Sequence, residues 1–390
     1  MRVLHVTPSI GSKWGGPTLV VLYLVSALRA QGIDAEIATT NDDGAEVLDV
    51  PLYQRTIYRQ VPVWFFPRSA RIKDFTPSLL LARWLWRHVK RYDLLDNHYL
   101  FSFPQTAASM IARWQGVPYT VRAMGQLTAW SLQQSRLKKQ LYSVLIERRS
   151  LNGAAAIHCT SAQEAADVAR FGVSAPTLTL PLGVRPPQPI PQAPQQLRQR
   201  YGIAAEVPIV LFLSRLHYKK QPNVLIEALG ALCDRGHPAH LLLAGSGDPA
   251  YVATLRQQVA ALALQDRVTF AGFVSGWDKA LVLQGADLFA LPSHSENFGI
   301  AIAEAMAAAL PVAVTPGVQI ATEIEAAEAG EVVAGTASAF TEALAGLITH
   351  PQRRRQLGHN GRALVERRYS WDAIAGQLAQ AYADIVNRTP

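Results

Sequence analysis

Hydrophobic residues along the chain alternate between short apolar runs and longer segments with helical spacing. The first run covers residues 2–7 and is followed by a loop over 8–17. The next segment repeats apolar residues at three- and four-residue intervals and ends at Gly32, which predicts a helix. A second run, over 34–40, completes a strand–helix–strand opening. This opening is typical of a parallel sheet, and we expect helices to bury both faces of that sheet.

The same alternation predicts the remaining elements of two α/β domains. In the first half we expect strands at 61–66, 94–97, 119–122 and 155–159, and helices around 78–91, 103–115, 136–150 and 161–171. In the second half we expect strands at 209–213, 241–244, 268–271, 288–291 and 312–315, and helices at 222–235, 251–263, 277–285 and 300–308. Regular β–α alternation is typical of doubly wound, Rossmann-like sheets.

A proline-rich segment separates the two alternations. Residues 181–196 read PLGVRPPQPIPQAPQQ, a composition that opposes helix interiors and central strands, and we place the interdomain linker here. The predicted domains are residues 1–183 and 184–369. A final helix over 370–390 begins near Ser370 and carries Ile374, Leu378, Tyr382 and Ile385 on one face, so this apolar stripe must be buried somewhere.

Length and composition favour a soluble cytoplasmic protein. The 390 residues fit two domains of ordinary size, and 49% hydrophobic against 17% charged residues is enough for a core in each. No apolar stretch approaches the roughly 20 residues of a membrane-spanning helix. The amino terminus reads as a strand rather than a signal peptide. The two cysteines, Cys159 and Cys233, do not form a disulfide framework.

The positive charge is concentrated in the first half. Residues 1–183 contain 20 Lys and Arg against 12 Asp and Glu, whereas residues 184–390 contain 17 of each, so the first half holds the whole excess of +8. Such a surface suits nucleic acid, anionic lipid or a phosphorylated substrate, or is an ordinary solvated surface. The sequence has no helix-turn-helix, zinc-finger or aromatic RNA-binding motif, so we do not expect nucleic acid as a partner.

The most informative motif is SENFGIAIAEAM, residues 295–306. Glu296 precedes the predicted helix and Glu304 lies within it, and Gly299 allows close backbone approach at the helix start. The first amides of a helix form an anion site. A carboxylate on the preceding loop can bind sugar hydroxyls, and one in the helix can bind ribose. The alternative is that Glu304 only complements the helix dipole and Glu296 is solvated.

Two further segments follow strands of the second half. SRLHYKKQ places Arg215 and Lys220 at the carboxyl end of a strand, where α/β sheets bind ligands. A guanidinium fork and an ammonium group together suit a nucleoside diphosphate. Lys219 is expected to be exposed. LAGSGD places Gly245 and Gly247 in a tight turn that would allow backbone contact with a nucleotide, although a lone GxG is weak evidence.

The first half contains fewer candidate binding residues. SIGSKWGGPT places Gly15 and Gly16 between a strand and a helix, where their amides can approach a phosphate or simply form a flexible connection. His98, at a strand end in LLDNHYLF, either lines a cleft wall or is a buried, hydrogen-bonded histidine. No cluster of His, Cys or Asp with metal-ligand spacing is evident, so we predict that no metal is bound.

These motifs together resemble glycosyltransferase family 4, a retaining family. The resemblance covers nearly the whole chain, including VTFAGFV (268–274) and the final YSW segment. It implies the GT-B fold, with two Rossmann-like domains facing across a cleft and the last helix packing back on the first domain. It also implies that Arg215 and Lys220 hold the diphosphate, Glu304 the ribose and Glu296 the transferred sugar. Backbone groups would complete the donor site at Asn297, Phe298 and Gly299 for the sugar or phosphate, and at Phe273 and Val274 for the base.

The sequence departs from the family at two places. Many relatives have a His–Gly pair after the strand that ends at Arg122, whereas this chain has Met124 before Gly125. A side-chain hydrogen bond from that position to the donor sugar is therefore not expected, and Arg122, Met124 and Gly125 are retained with His98 as candidate acceptor-side residues. The paired glycines that usually precede the late glutamate are replaced by PGVQIATE (316–323).

The resulting hypothesis is a hexosyltransferase that moves a sugar from a nucleoside-diphosphate sugar to an acceptor hydroxyl, without cofactor or metal. The basic first half, with the Trp-rich segment 83–88 and the basic segment 136–139, favours a lipid-linked glycan acceptor in polysaccharide biosynthesis and a peripheral position on an anionic membrane. The Trp-rich segment is also compatible with core packing. Two alternatives are a non-catalytic sugar-nucleotide-binding protein and an NAD-dependent oxidoreductase, but GSKWGG lacks the GxGxxG spacing that the latter requires.

Overall fold

The computed structural model describes residues 1–11, 16–70, 75–127 and 146–388. The chain forms two compact units, one comprising Met1–Gly183 with Trp371–Pro390 and the other Val184–Ser370. It therefore passes from the first unit to the second after Gly183 and returns to the first after Ser370. Across the described residues, the helices include none with both the length and the apolar composition needed to cross a bilayer.

The first unit is built on a twisted, mostly parallel sheet. Its strands are β1 (Arg2–Val6), β2 (Asp34–Thr40), β3 (Asp42–Asp43), β4 (Glu46–Val47), β5 (Arg55–Tyr58), β6 (Val61–Phe66), β7 (Leu94–His98), β8 (Tyr119–Arg122), β9 (Ala156–Cys159) and β10 (Thr177–Thr179). Its first helices are α1 (Gly16–Ala30), α2 (Leu79–His88), α3 (Phe103–Gln115), α4 (Arg148–Asn152) and α5 (Ala162–Arg170). The main sheet has the order β10-β9-β8-β7-β1-β2-β6-β5, in which only β5 is antiparallel to its neighbour. The strands β3 and β4 form a separate antiparallel pair.

The described strands of the second unit form one sheet in which all strands are parallel. These are β11 (Ile209–Leu213), β12 (His240–Ala244), β13 (Val268–Gly272), β14 (Leu288–Leu291), β15 (Val312–Val314) and β16 (Gly330–Val332). The helices are α6 (Ala193–Tyr201), α7 (Pro222–Asp234), α8 (Pro249–Ala261), α9 (Gly276–Gly285), α10 (Ile300–Ala307), α11 (Ala321–Ala326), α12 (Ala337–Thr349) and α13 (Pro351–Arg368). The strand order is β13-β12-β11-β14-β15-β16. The strands β11, β12 and β14 are completely buried, as their continuous apolar sequences predict.

The proline-rich linker is shorter than we predicted from the sequence. Residues 193–196 already belong to α6, which has Pro194 in its first turn, where a missing amide hydrogen costs nothing. Leu197 of this helix is fully buried, and a Cβ added to Gly285 of α9 would lie 2.6 Å from its Cβ. Arg198 also donates a hydrogen bond to Asp287 at 2.8 Å. Packing of α6 against α9 therefore overrides the extended geometry that the prolines favour.

The last helix, α14 (Trp371–Arg388), belongs to the first unit and packs on α1. Ile374, Leu378 and Tyr382 are buried and Ile385 is partly buried, so the apolar stripe is covered there. Trp371, at the start of the helix, lies so close to Gly183 that a Cβ on this glycine would be 2.3 Å from the indole ring.

Two predicted helix boundaries were wrong or fall outside the described residues. Helix α1 begins at Gly16, inside the segment that we predicted as a loop. The predicted helix over 136–150 lies outside the described residues up to 145, and α4 begins only at Arg148.

Candidate functional site

The chain reverses its direction across the second sheet between β11 and β14. From β11 it proceeds through β12 to β13 at one edge, and then returns to place β14 on the other side of β11. In open α/β sheets, ligands bind outside the carboxyl ends of the strands at such a switch point. Arg215 and Lys220 follow β11, and Glu296 follows β14. The topology therefore brings these three predicted site residues to the same end of two adjacent strands.

Lys220 and Glu296 form an ion pair at this switch point. The ammonium group of Lys220 donates a hydrogen bond to Glu296 Oε1, and the two side chains are only 11% and 12% exposed. Lys220 is the last residue of a 3-10 turn over Tyr218–Lys220. The structure thus places a desolvated cation and a carboxylate together at the position where the sequence motifs predicted a donor site.

Additional positive charge surrounds this pair. Arg215 is exposed beside it, and Lys219 is partly buried rather than exposed as we expected from the sequence. The pKa of Lys219 is lowered by burial and by the adjacent Lys220 and Arg215, although Glu296 opposes this shift. The pKa of His217 is also lowered, by burial and then by Arg215 and the two lysines. Three cations against one carboxylate give this strand end an excess of positive charge, which suits a polyanionic ligand.

The loop that follows β15 holds the backbone of Glu296. The Glu296 amide donates to Gly317 O at 3.0 Å, and the Gln319 amide donates to Glu296 O at 3.2 Å. Gly317 is required here because a Cβ would lie 2.2 Å from the carbonyl oxygen of His294. This contact was missed by the sequence analysis, which identified PGVQIATE only as a departure from the family pattern.

The second glutamate lies on α10, as predicted. Gly299 caps this helix with φ of 79°, a left-handed conformation that favours glycine. Glu304 Oε1 accepts a hydrogen bond from Lys279 Nζ of α9 at 2.5 Å. Lys279 was not identified from the sequence, since a lone lysine in an ordinary helix carries no recognisable signal. The acidic motif therefore contributes two ion pairs, Lys220–Glu296 and Lys279–Glu304.

In the loop between Glu296 and α10, Phe298 has a buried side chain. Phe298 is 3% exposed, and its ring packs edge-on against Tyr369 with centroids 5.4 Å apart. Its side chain is thus part of the core of the second unit. Asn297 is partly buried on the loop before Gly299. Any contribution of Phe298 to ligand binding must come from its peptide groups, as the sequence analysis expected.

The glycines after β12 have a structural function. Gly245 has φ of 151°, and a Cβ there would lie 1.8 Å from Ser214 O. A Cβ on Gly247 would lie 2.2 Å from Leu216 O. Both glycines therefore allow the loop after β12 to pack against the loop after β11 that carries Arg215. After β13, Phe273 is 73% exposed and Val274 is buried.

Candidate residues of the first unit have different environments. Gly15 lies outside the described residues, and Gly16 is the first residue of α1. Met124 and Gly125 form a turn after β8 with φ of 51° and 75°. The Gly125 amide donates to the buried carboxylate of Glu164, which also accepts from the Thr160 amide at 2.6 Å. Glu164, which the sequence analysis did not identify, fixes this turn.

His98 and Arg122 are not surface residues. Each is 2% exposed, so neither presents its side chain to an acceptor, and the alternative of a buried histidine is the correct one for His98. His98 Nε2 lies 3.0 Å from His5 Nδ1. Arg122 Nε donates to Asp96 Oδ2 at 2.8 Å. Both side chains belong to a polar cluster in the core of the first unit.

This buried cluster corrects our expectation that no group of potential metal ligands exists. Ligand atoms of His5, Asp96 and His98 all lie within 4.8 Å of one another. Asp96 is, however, already engaged by Arg122 and, through Oδ1, by Thr120 Oγ1 at 2.9 Å. Burial raises the pKa of Asp96, but Arg122 together with His98, His5 and His158 holds this pKa well below its usual range. A cation at Arg122 already balances the carboxylate, which makes the cluster a poor metal site.

Comparisons with known proteins match both halves of the chain. The family model described as glycosyl transferases group 1 matches residues 194–364, and the model described as glycosyl transferase 4-like domain matches residues 15–183. The D-inositol 3-phosphate glycosyltransferase of Thermomonospora curvata is 30% identical over 96% of this chain and 92% of its own length. The enzyme of the same name from Xylanimonas cellulosilytica is 29% identical over 96% of this chain and 93% of its own length.

Solved structures show the same fold. The Anabaena protein HepE, determined in complex with UDP, has a TM-score of 0.77 at 21% identity and covers 98% of this chain and all of its own. Sucrose-phosphate synthase from Thermosynechococcus elongatus has a TM-score of 0.75 at 24% identity and covers 99% of both chains. The predicted α/β fold class of GT-B type is thus confirmed.

Proposed function

We propose that this chain, which belongs to the glycosyltransferases of the group 1 and family 4 type, transfers a sugar from a nucleoside-diphosphate sugar to an acceptor hydroxyl. The observation that carries the proposal is the Lys220–Glu296 ion pair at the switch point of the second sheet, with Arg215 and Lys219 beside it. A diphosphate needs cations, and a sugar needs a carboxylate that accepts from its hydroxyls. The Lys220–Glu296 ion pair places a cation and a carboxylate together at this strand end.

Arg215 and Lys220 would hold the diphosphate. Arg215 is exposed and supplies a planar fork of donors, whereas Lys220 supplies a point charge held in place by Glu296. When the sugar–phosphate bond breaks, negative charge grows on the departing phosphate oxygen. Fixed cations stabilise that charge without reorganisation, and we therefore propose that the transfer requires no metal. The amides at the start of α10 add partial positive charge to the same region.

The two glutamates would have separate tasks. Glu304 would accept hydrogen bonds from the ribose through the carboxylate that Lys279 holds in place, and Glu296 would accept from hydroxyls of the transferred sugar. The amides of Asn297 and Gly299 would complete the contacts to the sugar or phosphate, and backbone groups at Phe273 and Val274 those to the base. This assignment rests on the family resemblance, on the position of Glu296 after β14 and on the ion pair between Lys279 and Glu304.

We further propose that transfer retains the anomeric configuration by attack on the face from which the diphosphate leaves. In this step the bond from the anomeric carbon to the phosphate oxygen breaks and a bond from that carbon to the acceptor oxygen forms. The acceptor proton passes to the departing phosphate oxygen, so no separate base is needed. The positive charge around Lys220 would stabilise the phosphate while it receives this proton.

For the acceptor we propose a lipid-linked glycan in polysaccharide biosynthesis. Residues 1–183 have an excess charge of +8, which would attract a phosphorylated or diphosphate-linked acceptor. The names of the relatives point to a phosphorylated acceptor of another kind, inositol phosphate, and these relatives differ from this chain at about seven positions in ten. The two acceptors can be separated directly by experiment.

The test is a screen of the purified chain against UDP-, GDP- and ADP-sugars. We expect one nucleotide class to raise the melting temperature, and its sugar conjugate to release nucleotide when a polyprenyl-diphosphate-linked glycan is added. D-inositol 3-phosphate serves as the soluble acceptor for comparison. Thermal stabilisation without nucleotide release for any acceptor would favour a non-catalytic sugar-nucleotide-binding protein, and release with inositol phosphate alone would overturn the proposed acceptor.

A further inference from the structure

Two exposed tryptophans meet on the surface of the first unit. Trp86 of α2 is 51% exposed and Trp114 of α3 is 70% exposed, and their rings pack edge to face with centroids 6.0 Å apart. Gln115 Nε2 donates to Trp86 O at 2.7 Å and joins the two helices at this point. Leu79 and Met110, one on each helix, are also exposed, by 68% and 45%. Large apolar side chains therefore cluster on this surface instead of being scattered singly.

This cluster is separate from the core side of the same helix. Leu81, Leu85 and Val89 repeat at four-residue intervals and are fully buried. Trp84 also faces inward and packs on Trp64 with ring centroids 5.0 Å apart. The core-packing interpretation of the Trp-rich segment is thus correct for Trp84 but not for Trp86. Trp86 is not needed to cover the sheet, so its exposure requires another explanation.

The surface around the two tryptophans is strongly basic. Exposed basic side chains of α2, of the turn that follows it and of α3 surround the pair, namely Arg83, Arg87, Lys90, Arg91 and Arg113. Residues 75–92 and 103–118 contain no Asp or Glu. Within the described residues, none of these five side chains forms a salt bridge. Their charge is therefore not neutralised by neighbouring carboxylates.

We propose that this surface docks the first unit on an anionic phospholipid bilayer. The Trp86–Trp114 face is defined here by six residues, Leu79, Arg83, Trp86, Lys90, Met110 and Trp114. On α2, positions 79, 83 and 86 recur at helical intervals and so share one side, and Lys90 lies on the 3-10 turn that follows the helix. This inference deepens the proposed function and rests on it, because a lipid-linked acceptor is presented at such a surface.

The residue types of the Trp86–Trp114 face favour a lipid bilayer over a protein partner. Tryptophan prefers the level of the lipid headgroups, where its ring is in an apolar environment and its N–H remains hydrated. Lysine and arginine extend from that level to anionic headgroups, and each contributes about a fivefold gain in partitioning at low salt. Arginine, tryptophan and methionine also occur at protein–protein interfaces, but lysine is depleted there. The uniform positive charge of this surface therefore favours lipid, since residues 75–92 and 103–118 contain no Asp or Glu.

The test measures binding of the full chain to vesicles by flotation. Vesicles of phosphatidylcholine with 30% phosphatidylglycerol are compared with pure phosphatidylcholine, at about 0.05 M and 0.5 M NaCl. We expect wild type to float with the anionic vesicles at low salt only. The Arg83→Gln/Lys90→Gln variant should partition about 25-fold less, from two fivefold losses. Trp86→Ala/Trp114→Ala should also bind less and should lose the blue shift of tryptophan fluorescence that vesicles induce in wild type.

A matched control removes the same charge elsewhere. Arg355 and Arg367 are exposed on α13 in the second unit, so Arg355→Gln/Arg367→Gln should bind vesicles as wild type does. Nucleotide release without vesicles should be equal in all variants, and circular dichroism should show that each is folded. Equal flotation of the face variants and the control, or no flotation of wild type with anionic vesicles, overturns the proposal. Vesicle binding needs no turnover, so a failure of the proposed function is recognised separately by the absence of nucleotide release.

Discussion

Tyr382 of the last helix donates a hydrogen bond of 2.5 Å to Oδ2 of Asp96 in the middle of the first sheet. The two residues are 286 positions apart in the sequence. The same carboxylate accepts from Arg122, and all three side chains are buried. The contact therefore anchors α14 to the polar centre of the first unit, in addition to the apolar packing of its buried stripe.

Replacing Tyr382 with Phe should loosen α14. A buried hydrogen bond to a charged group contributes about 1.5–3 kcal/mol, and Asp96 would keep only part of its donor set. We expect faster hydrogen exchange of the α14 amides and a lower free energy of unfolding of the first unit in denaturant. Tyr53→Phe is the control, because Tyr53 is 53% exposed. Equal exchange in α14 for both variants would show that apolar packing alone holds the helix.

Acid should destabilise the first unit through its buried histidines. Burial lowers the pKa of His5 to about 4 and that of His158 to about 3, and lowers that of His98 well below its ordinary value. The unfolded chain, with histidine pKa near 6.5, binds protons first. Stability from these groups is therefore complete above about pH 6.5 and decreases as the pH falls towards 4 and 3, by about 1.4 kcal/mol per pH unit for each histidine.

Denaturant unfolding between pH 7.5 and 4.5 measures this dependence. His158→Gln should reduce the slope, because a glutamine can keep the hydrogen bond that His158 Nε2 makes with Leu180 O at 2.8 Å but cannot be protonated. The exposed His359 provides the control variant, His359→Gln. A slope that is unchanged in His158→Gln would mean that this histidine is protonated in the folded chain.

Much of the fold could be predicted because the strands of parallel sheets have a strong signature. The bounds of the strands 34–40, 61–66, 119–122, 209–213 and 288–291 are predicted to the residue, and nearly all residues of these strands are buried. The runs 209–213 and 288–291 are continuously apolar, whereas 34–40 and 119–122 also contain polar residues. Elements with mixed or short patterns were missed. The edge strand β5 alternates exposed and partly buried residues, and the three-residue strands β10 and β16 have no completely buried residue. The sequence does not predict α6, because its prolines oppose a helix interior, whereas Pro194 lies in the first turn, where proline is tolerated.

The candidate site was predictable where a local motif coincides with a strand end. Arg215, Lys220 and Glu296 follow strands, and the sheet topology alone brings them together. Lys279 and Glu164 were not predictable, because each acts through a partner that is remote in the sequence and neither belongs to a motif. The sequence leaves open whether His98 lines a cleft or is buried, and it names Arg122 only as a candidate acceptor-side residue, whereas both side chains are buried. Polar residues at strand ends suggest a cleft wall, and nothing local reveals that Asp96 and Tyr382 enclose them in the core.

Removing the guanidinium of Arg215 should impair transfer. If Arg215 stabilises the departing diphosphate, Arg215→Ala should lower turnover by about 100- to 1,000-fold without changing the unfolding transition. Arg256→Ala is a matched control, since Arg256 is exposed in the same unit and stacks over Phe270 at 4.3 Å. Turnover of folded Arg215→Ala within the range of the control would exclude Arg215 from the diphosphate site.

Chelation should leave transfer unaffected. We propose that positive charge at the leaving group comes from Arg215, Lys220 and the start of α10, so nucleotide release should continue in excess EDTA. The measurement compares initial rates with EDTA, with added Mg²⁺ and with added Mn²⁺. Loss of activity in EDTA that is restored by either ion would contradict metal independence and would call for ligands other than the engaged Asp96 cluster.

The two glutamates should separate binding from transfer. Glu304→Gln should weaken the affinity for free nucleoside diphosphate by about tenfold or more, because a charged acceptor for the ribose is lost. Glu296→Gln should impair sugar transfer and leave that affinity close to wild type, because its proposed contacts are to the sugar, which the free nucleotide lacks. Calorimetry with the nucleoside diphosphate and initial-rate measurements with the sugar conjugate give the two quantities.

Replacing Lys279 tests whether Glu304 binds the ribose, because Lys279 holds the Glu304 carboxylate. It contacts Glu304 at 2.5 Å, so Lys279→Gln should weaken nucleotide binding in the wild-type background but have little further effect in Glu304→Gln. Such non-additivity is expected for residues that act as one unit, whereas independent residues show additive losses. Additive effects would mean that Lys279 binds the nucleotide by itself. Weak nucleotide binding in Glu296→Gln together with normal binding in Glu304→Gln would show that the two glutamates have the reverse roles.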